Sequence, residues 1–245
     1  MQETANPTRI TLRIPGNWAH PRELLARLPE GFVLGPEALR SPDGTEFEFT
    51  PMEPDDQFSE VFRSACRRPP TENELAVLSR YTVNIGLSGG GGCLESALAM
   101  MQAAAAIVRA GGAGVFIDNS AMAHGGSDWL AMTDDGGPEA VSFAYVSIIR
   151  GPREVYTMGM QVLGFPDLLM RSSDVDKRGE TIVELIRYIC GGTKSIDVGH
   201  LLADEHGPRF QVAARESDEF KPESPLHNPH GRLRMVSMKD IAESN

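Results

Sequence analysis

The pattern that most constrains the fold is a strand, a glycine run and an alanine-rich helix near the centre of the chain. Apolar residues alternate at Val83, Ile85 and Leu87, which predicts a half-buried strand. The glycine run Gly89–Gly92 follows, and a helix is predicted from about Cys93 to Arg109. Its apolar residues keep helical spacing throughout: Leu94, Ala97, Leu98, Met101, Ala104, Ala105 and Val108.

A second buried strand is predicted after this helix. Gly111 and Gly112 end the helix, and Val115–Ile117 is a short continuous apolar run. A strand–helix–strand unit of this kind predicts a right-handed crossover between parallel strands. We therefore expect the helix to bury one face against a sheet that contains both strands. The side chains predicted to lie on that face are Leu94, Leu98, Met101 and Ala105.

The rest of the chain alternates between strand and helix patterns. Strands are predicted at 10–14, 47–49, 141–149, 154–163, 198–202 and 210–214. The order of elements predicts an α+β fold, with a mixed sheet and helices packed on one face, and it is compatible with two ferredoxin-like (βαββαβ-type) halves. The predicted divisions are an N-terminal α/β half at 1–80, a main α+β half at 81–215 and a tail at 216–245 that lies on the surface.

Composition and charge argue against several classes of function. The formal net charge of −11 disfavours binding to nucleic acid, because phosphates require a basic surface. The N-terminal residues resemble no signal peptide, and the apolar stretch Ala97–Ala110 is shorter than the roughly 20 residues that span a bilayer. Three dispersed cysteines disfavour disulfides and a structural zinc site. We predict a soluble cytoplasmic protein without cofactor or membrane association.

Three separated segments of the chain together match a known pattern: Thr50–Pro54 before a helix, Gly112–Ser120 after the alanine-rich helix, and Val155–Asp167. In this order they resemble the bacterial domain-of-unknown-function 4261 family. The last is similar to the family pattern Tyr-Thr-x-Gly-Leu-x-x-Phe-Gly-x-Pro-Glu and departs from it at Met160, Leu163 and Asp167. The resemblance covers roughly residues 45 to 215. It implies a bacterial intracellular α+β domain, but it implies no activity and no catalytic residues.

The glycine run is a candidate anion site. Backbone N–H groups of Gly89, Gly90, Gly91 and Gly92, followed by a helix N-terminus, can bind a small anion such as phosphate or a carboxylate. A P-loop is excluded, because Cys93-Leu94 stands where lysine and serine or threonine are required. The alternative interpretation is a tight strand-to-helix turn.

Polar residues after the second strand extend this candidate site. Cys93 at the helix start is a candidate nucleophile and His124 its candidate base, since parallel strands place their carboxyl ends at one edge. Asp118 and Asn119 are candidate ligand-binding residues, and Trp129 is a candidate apolar wall. Asp118, His124 and Asp128 are candidate metal ligands. The alternatives are a buried thiol, turn-forming polar residues, and a helix N-cap at Asp128.

Three hypotheses of function follow. The first is a non-catalytic binding or interaction protein, with a small anion, a protein partner or a second copy of the chain as ligand. It is favoured because the sequence contains no complete catalytic constellation. The second is a small-molecule hydrolase or transferase that uses the glycine run with Cys93 and His124. The third is a metal-assisted activity around Asp118, His124 and Asp128. A hollow in which these side chains converge distinguishes the enzymes from the binding protein.

Overall fold

The structure is a computed structural model that describes residues 8–192, 196–204, 207–217 and 219–238. The strands in these residues are β1 (Arg9–Gly16), β2 (Val33–Leu34), β3 (Ala38–Arg40), β4 (Glu46–Met52), β5 (Val83–Gly90), β6 (Gly114–Ile117), β7 (Met122–Gly125), β8 (Ser147–Arg150), β9 (Glu154–Met158), β10 (Asp167–Arg171), β11 (Leu201–Asp204), β12 (Gly207–Glu216) and β13 (Arg232–Ser237). The α-helices are α1 (Pro21–Arg27), α2 (Phe58–Ala65), α3 (Glu72–Leu78), α4 (Leu94–Arg109), α5 (Gly126–Asp135), α6 (Pro138–Tyr145) and α7 (Glu180–Gly191). Short 3-10 helices lie at Met160–Leu163 and Ser172–Asp174. The predicted α+β class is confirmed.

The first sheet has the order β2-β3-β4-β5-β1-β6-β7, and each neighbouring pair is antiparallel. Both β5 and β6 pair with β1, so they run in the same direction and α4 crosses between them over the central strand. The inner order β4-β5-β1-β6, with α1 and α4 as the two crossovers, is the strand order of a ferredoxin-like βαββαβ unit. Because β1 pairs with β5 and β6, the two predicted halves share one sheet.

The prediction that α4 packs against this sheet is confirmed, because the helix contacts β1, β5 and β6. Burial of its predicted face is partial. Met101 and Ala105 are fully buried in the main apolar cluster, which also contains Leu12 of β1, Leu87 of β5 and Ile117 of β6. Leu94 and Leu98, nearer the start of the helix, are partly buried against the same cluster. Four consecutive alanines, 103–106, are fully buried, so the helix backbone can lie close to the residues around it.

Helices cover both faces of the first sheet, so the prediction of helices on one face is wrong for this sheet. Val115 and Ile117 of β6 pack in the cluster that contains α4, whereas Phe116 between them packs against a second cluster. That second cluster contains Phe58 and Phe62 of α2, together with Leu78 of α3. Because side chains alternate across a strand, α2 and α3 lie on the face of the sheet opposite to α4.

The second sheet has the order β11-β12-β13-β10-β9-β8. Only the β10–β13 pair is parallel, so this sheet is mixed. Its apolar residues join those of the first sheet in one cluster, as Leu12 of β1 and Leu168 of β10 illustrate. Helices α6 and α7 pack against each other, and α6 also contacts α4.

Three sequence predictions fail in this second half. Residues 141–149 do not form one strand, because α6 occupies Pro138–Tyr145 and β8 begins only at Ser147. The strand predicted at 154–163 ends at Met158, where Gly159, with φ of 101°, turns the chain into a 3-10 helix. The predicted surface tail contains β13, which lies between β12 and β10 with Leu233 and Met235 buried.

Every helix in the described part of the chain is too short or too polar to cross a lipid bilayer.

Candidate functional site

The glycine run is a closed turn rather than an open anion cradle. Gly89 and Gly90 belong to β5, and the N–H groups of Gly91 and Gly92 donate to the carbonyls of Thr8 and Val162, both at 2.8 Å. Gly92 has a φ of 91°, a backbone conformation that favours glycine. These contacts support the alternative interpretation, a tight strand-to-helix turn.

Cys93 is the N-cap of α4. Its Sγ accepts a hydrogen bond from the backbone N–H of Ser96 at 3.4 Å, so the thiol occupies the position that a serine or threonine hydroxyl commonly takes. Its side chain is exposed. The alternative interpretation of Cys93, a thiol buried in the first helical turn, is therefore wrong.

The structure does not bring Cys93 and His124 together. Residues 118–125 do not remain a loop at the carboxyl edge, because β7 folds back antiparallel to β6 and pairs His124 with Val115. The strand registers place Val115 level with Ile85, five residues before Gly90. Five residues correspond to about 17 Å along the strands, and β7 lies three strand positions from β5. The prediction of one hollow shared by both side chains is wrong.

His124 is a buried structural residue. Its Nε2 lies 3.0 Å from the carbonyl oxygen of Ala144, near the end of α6, and its ring packs beside Trp129 and Phe143. Burial, with a smaller contribution from the Arg67 charge, lowers the pKa of His124 to about 4. The imidazole is therefore neutral near pH 7.

The remaining predicted site residues also have structural contacts. Asp118 accepts from Nε of Arg13 at 2.9 Å, and burial raises the pKa of its carboxyl. Asp128 lies in the first turn of α5 and pairs with Arg68 at 3.4 Å; the N-cap of that helix is Gly125. Trp129 is fully buried and donates to the carbonyl of Met101. Within the described residues, no group of three His, Cys, Asp or Glu side chains is arranged to hold a metal ion.

The carboxyl edge of β5 and β6 is filled by the chain itself. Asn119 accepts from the N–H of Thr11 and donates to the carbonyls of Arg9 and Pro225. Gln161 also donates to the carbonyl of Pro225, at 3.2 Å. The 3-10 helix at Met160–Leu163 and the segment 219–231 thus occupy the place where an open α/β sheet would bind a ligand.

A buried carboxylate that sequence reasoning missed lies beside this segment. Asp167 accepts from Thr157 Oγ1 at 2.9 Å and from Asn228 Nδ2 at 2.7 Å. Burial raises the pKa of Asp167 to about 7, although these hydrogen bonds and the Arg232 charge favour the ionised form. The sequence signal that could have indicated this carboxylate is Thr157, a polar residue between apolar neighbours in β9.

A hollow that sequence reasoning missed lies between α6, α7 and β8, and we call it the α6–α7 hollow. Its volume is about 260 Å³. Its apolar wall is formed by Phe143, Val146, Ile148, Val183 and Ile186. Its polar lining consists of Arg67, Glu139, Ser142 and Arg187. Sequence reasoning missed it because the strand predicted at 141–149 contains most of the wall.

Arg67 is fixed at this hollow by four contacts. Its backbone N–H donates to the carbonyl of Ala123 on β7 at 3.2 Å. Its guanidinium donates to the carbonyls of Phe143 and Val146 at the end of α6, and it lies 4.3 Å from the centre of the Phe143 ring. A cation at a helix C-terminus is favourable, because the last carbonyls carry partial negative charge. Burial and the neighbouring Arg68 lower the pKa of Arg67 to about 10, so the side chain stays charged near pH 7.

Arg187 and Glu139 form the exposed rim of the hollow. Their side chains lie 3.2 Å apart and are 54% and 68% exposed. Ser142 is buried, and its hydroxyl donates to the carbonyl of Glu139 within α6. The lining therefore combines an apolar wall with two guanidinium groups and one carboxylate.

A smaller groove of about 170 Å³ lies between α7 and the β11–β12 hairpin. Leu185, Leu202 and Phe210 form its apolar lining, and Glu184 pairs with Arg209 at 3.2 Å across it. Tyr188 at its margin is 58% exposed, and Leu201 on the neighbouring edge strand is 53% exposed.

Comparisons with known proteins identify no relative. No family model, no curated protein and no solved structure matches this chain.

Proposed function

We propose that this chain is a non-catalytic binding protein and that the α6–α7 hollow holds its ligand, a small molecule with an apolar body. The observation that carries the proposal is a hollow of about 260 Å³ with five apolar residues in its wall. Ligand sites typically measure about 300–1,000 Å³. The smaller volume favours a ligand of only a few carbon atoms over a nucleotide or another large cofactor.

The chemistry of the lining supports binding rather than catalysis. A nucleophilic hydroxyl requires a neighbouring base, whereas the Ser142 hydroxyl donates to a helical carbonyl. Glu139 pairs with Arg187, and the neutral imidazole of His124 is bonded to the carbonyl of Ala144. Ser142 and His124 therefore contribute to structure, and Glu139 forms an exposed ion pair.

The proposed setting is the cytoplasm, and the proposed ligand is neither nucleic acid nor a membrane. The three cysteines are free, which suits a reducing compartment. The net charge of −11 disfavours contact with phosphate backbones. Membership of the domain-of-unknown-function 4261 family stays a prediction, and it adds no activity to this proposal.

Titration with 1-hexanol tests the proposed ligand site, because this alcohol is small and mostly apolar. We expect saturable shifts in ¹H–¹⁵N NMR spectra at residues of α6, α7 and β8. Val183→Phe places a larger side chain in the hollow and is expected to abolish these shifts. The matched control is Val61→Phe, at an exposed valine of α2 outside the hollow. Absence of saturable binding, or equal binding by V183F, would contradict the proposal.

A second candidate is self-association through the groove beside β11. It is favoured by exposed apolar side chains at Tyr188, Val198 and Leu201 next to an edge strand, since edge strands pair readily with other chains. Light scattering is expected to give a dimer mass that Leu201→Glu reduces to a monomer mass. A wild-type chain that is monomeric across the concentration range would contradict this candidate.

A further inference from the structure

The charge around the α6–α7 hollow has the opposite sign to that of the whole chain. The lining contributes Arg67 and Arg187 against Glu139 alone. Arg68 adds a further cation at the same place, because its guanidinium lies 5.4 Å from the centre of the Phe143 ring. Asp128 pairs with Arg68 and offsets that charge. Two lining arginines against one lining glutamate leave an excess of one positive charge at the hollow. The whole chain has a net charge of −11.

The two lining cations are arranged differently. Arg67 is held in place by carbonyls of Phe143 and Val146 and by the Phe143 ring, so its charge is fixed at the wall. Arg187 is more exposed and pairs with Glu139 at the rim. An exposed ion pair of this kind contributes little stability, so Arg187 can exchange Glu139 for another carboxylate at small cost.

An apolar wall below an arginine rim selects a particular class of ligand. The wall removes an aliphatic chain from water, and a guanidinium forms charge-assisted, often bidentate, hydrogen bonds with a carboxylate. A neutral molecule gains only the first interaction. A cationic molecule meets the excess positive charge.

We infer that the ligand of the α6–α7 hollow is a small aliphatic carboxylate, with its chain against Val146, Ile148 and Ile186 and its carboxylate on Arg187. The inference rests on the proposed function, because it names the ligand class of the same hollow. The fixed charge of Arg67 adds to the attraction without direct contact being required.

Comparison of hexanoate, 1-hexanol and hexylammonium tests the inference, because the three probes share a chain and differ in charge. We expect calorimetry or NMR titration to give hexanoate up to about fivefold tighter binding than 1-hexanol, and hexylammonium the weakest. The preference is expected to fall as salt concentration rises. Arg187→Gln is expected to remove the preference for hexanoate over 1-hexanol, because Glu139 then offsets the charge of Arg67.

The matched control is Arg178→Gln, which removes an exposed arginine just before α7 that pairs with Glu180. We expect this variant to keep the wild-type preference for hexanoate. Equal affinity of the wild-type chain for hexanoate and 1-hexanol would overturn the carboxylate inference and leave the proposed function standing. Binding of neither probe would overturn both. A hexanoate preference that survives in R187Q would overturn the assignment of the carboxylate to Arg187.

Discussion

Asn228 donates a hydrogen bond to the buried carboxylate of Asp167 at 2.7 Å, across 61 positions of sequence. The N–H of Asp167 donates to the carbonyl of Gly231 at 3.0 Å, and Asn228 Nδ2 also bonds the carbonyl of Phe165. These bonds fasten the segment 219–231 to the middle of the second sheet. The same segment accepts hydrogen bonds from Asn119 and Gln161 at Pro225, so it also fixes the first sheet to the second.

Asp167 is expected to make the stability of the fold depend on pH. Burial raises its pKa from 3.8 to about 7, so the folded state binds a proton that the unfolded state releases. The stability that the protonated, buried carboxyl of Asp167 contributes is fully present below pH 3.8 and is lost as pH rises through about 7. The shift corresponds to as much as about 4 kcal/mol. We expect urea unfolding of the wild-type chain to show this loss between pH 4 and pH 7, and Asp167→Asn to lack it.

The control for this experiment is Asp56→Asn, which changes an exposed carboxylate in the loop before α2. It is expected to keep the wild-type pH dependence. Parallel pH profiles for wild type and D167N would show that Asp167 is ionised in the folded state throughout this range, with Thr157, Asn228 and Arg232 stabilising its charge.

The adjacent glycines Gly89 and Gly90 are expected to respond differently to the same substitution. A Cβ at Gly89 would lie 2.7 Å from Met100 Cε and 2.9 Å from Phe47 Cδ1, both within the buried core. A Cβ at Gly90 meets nothing within 4 Å. We expect Gly89→Ala to lower the free energy of unfolding by about 1–3 kcal/mol, and Gly90→Ala to change it by less than about 0.5 kcal/mol. Denaturant unfolding measures both. Equal effects would contradict the packing explanation of Gly89.

The three cysteines are expected to react with thiol reagents at different rates in the native protein. Cys93 is exposed at the start of α4, whereas Cys190 is buried. Burial raises the pKa of both Cys66 and Cys190 to about 12, which keeps these thiols protonated and unreactive. We expect Ellman's reagent to label one thiol quickly and the other two only after unfolding. Cys93→Ser is expected to remove the fast phase, and persistence of that phase would contradict the assignment.

The sequence by itself determined the strand–helix–strand unit around α4. Its apolar residues repeat at helical spacing over four turns, and glycines mark both ends, so local pattern and final packing agree. The same kind of reasoning failed at 141–149, because a short apolar run fits a buried strand and a buried helix equally well. Pro138 at the first position of α6 and packing against α4 and α7 favour the helix there.

Only the tertiary structure decided the candidate site. The sequence predicts a loop around His124 because β7 is only four residues long, and the pairing of β7 with β6 places His124 opposite Val115, far from Cys93. The α6–α7 hollow combines Arg67 with residues of α6, β8 and α7, which are brought together by sheet pairing and helix packing. A local sequence pattern does not predict such contacts, because they depend on how distant segments pack against one another.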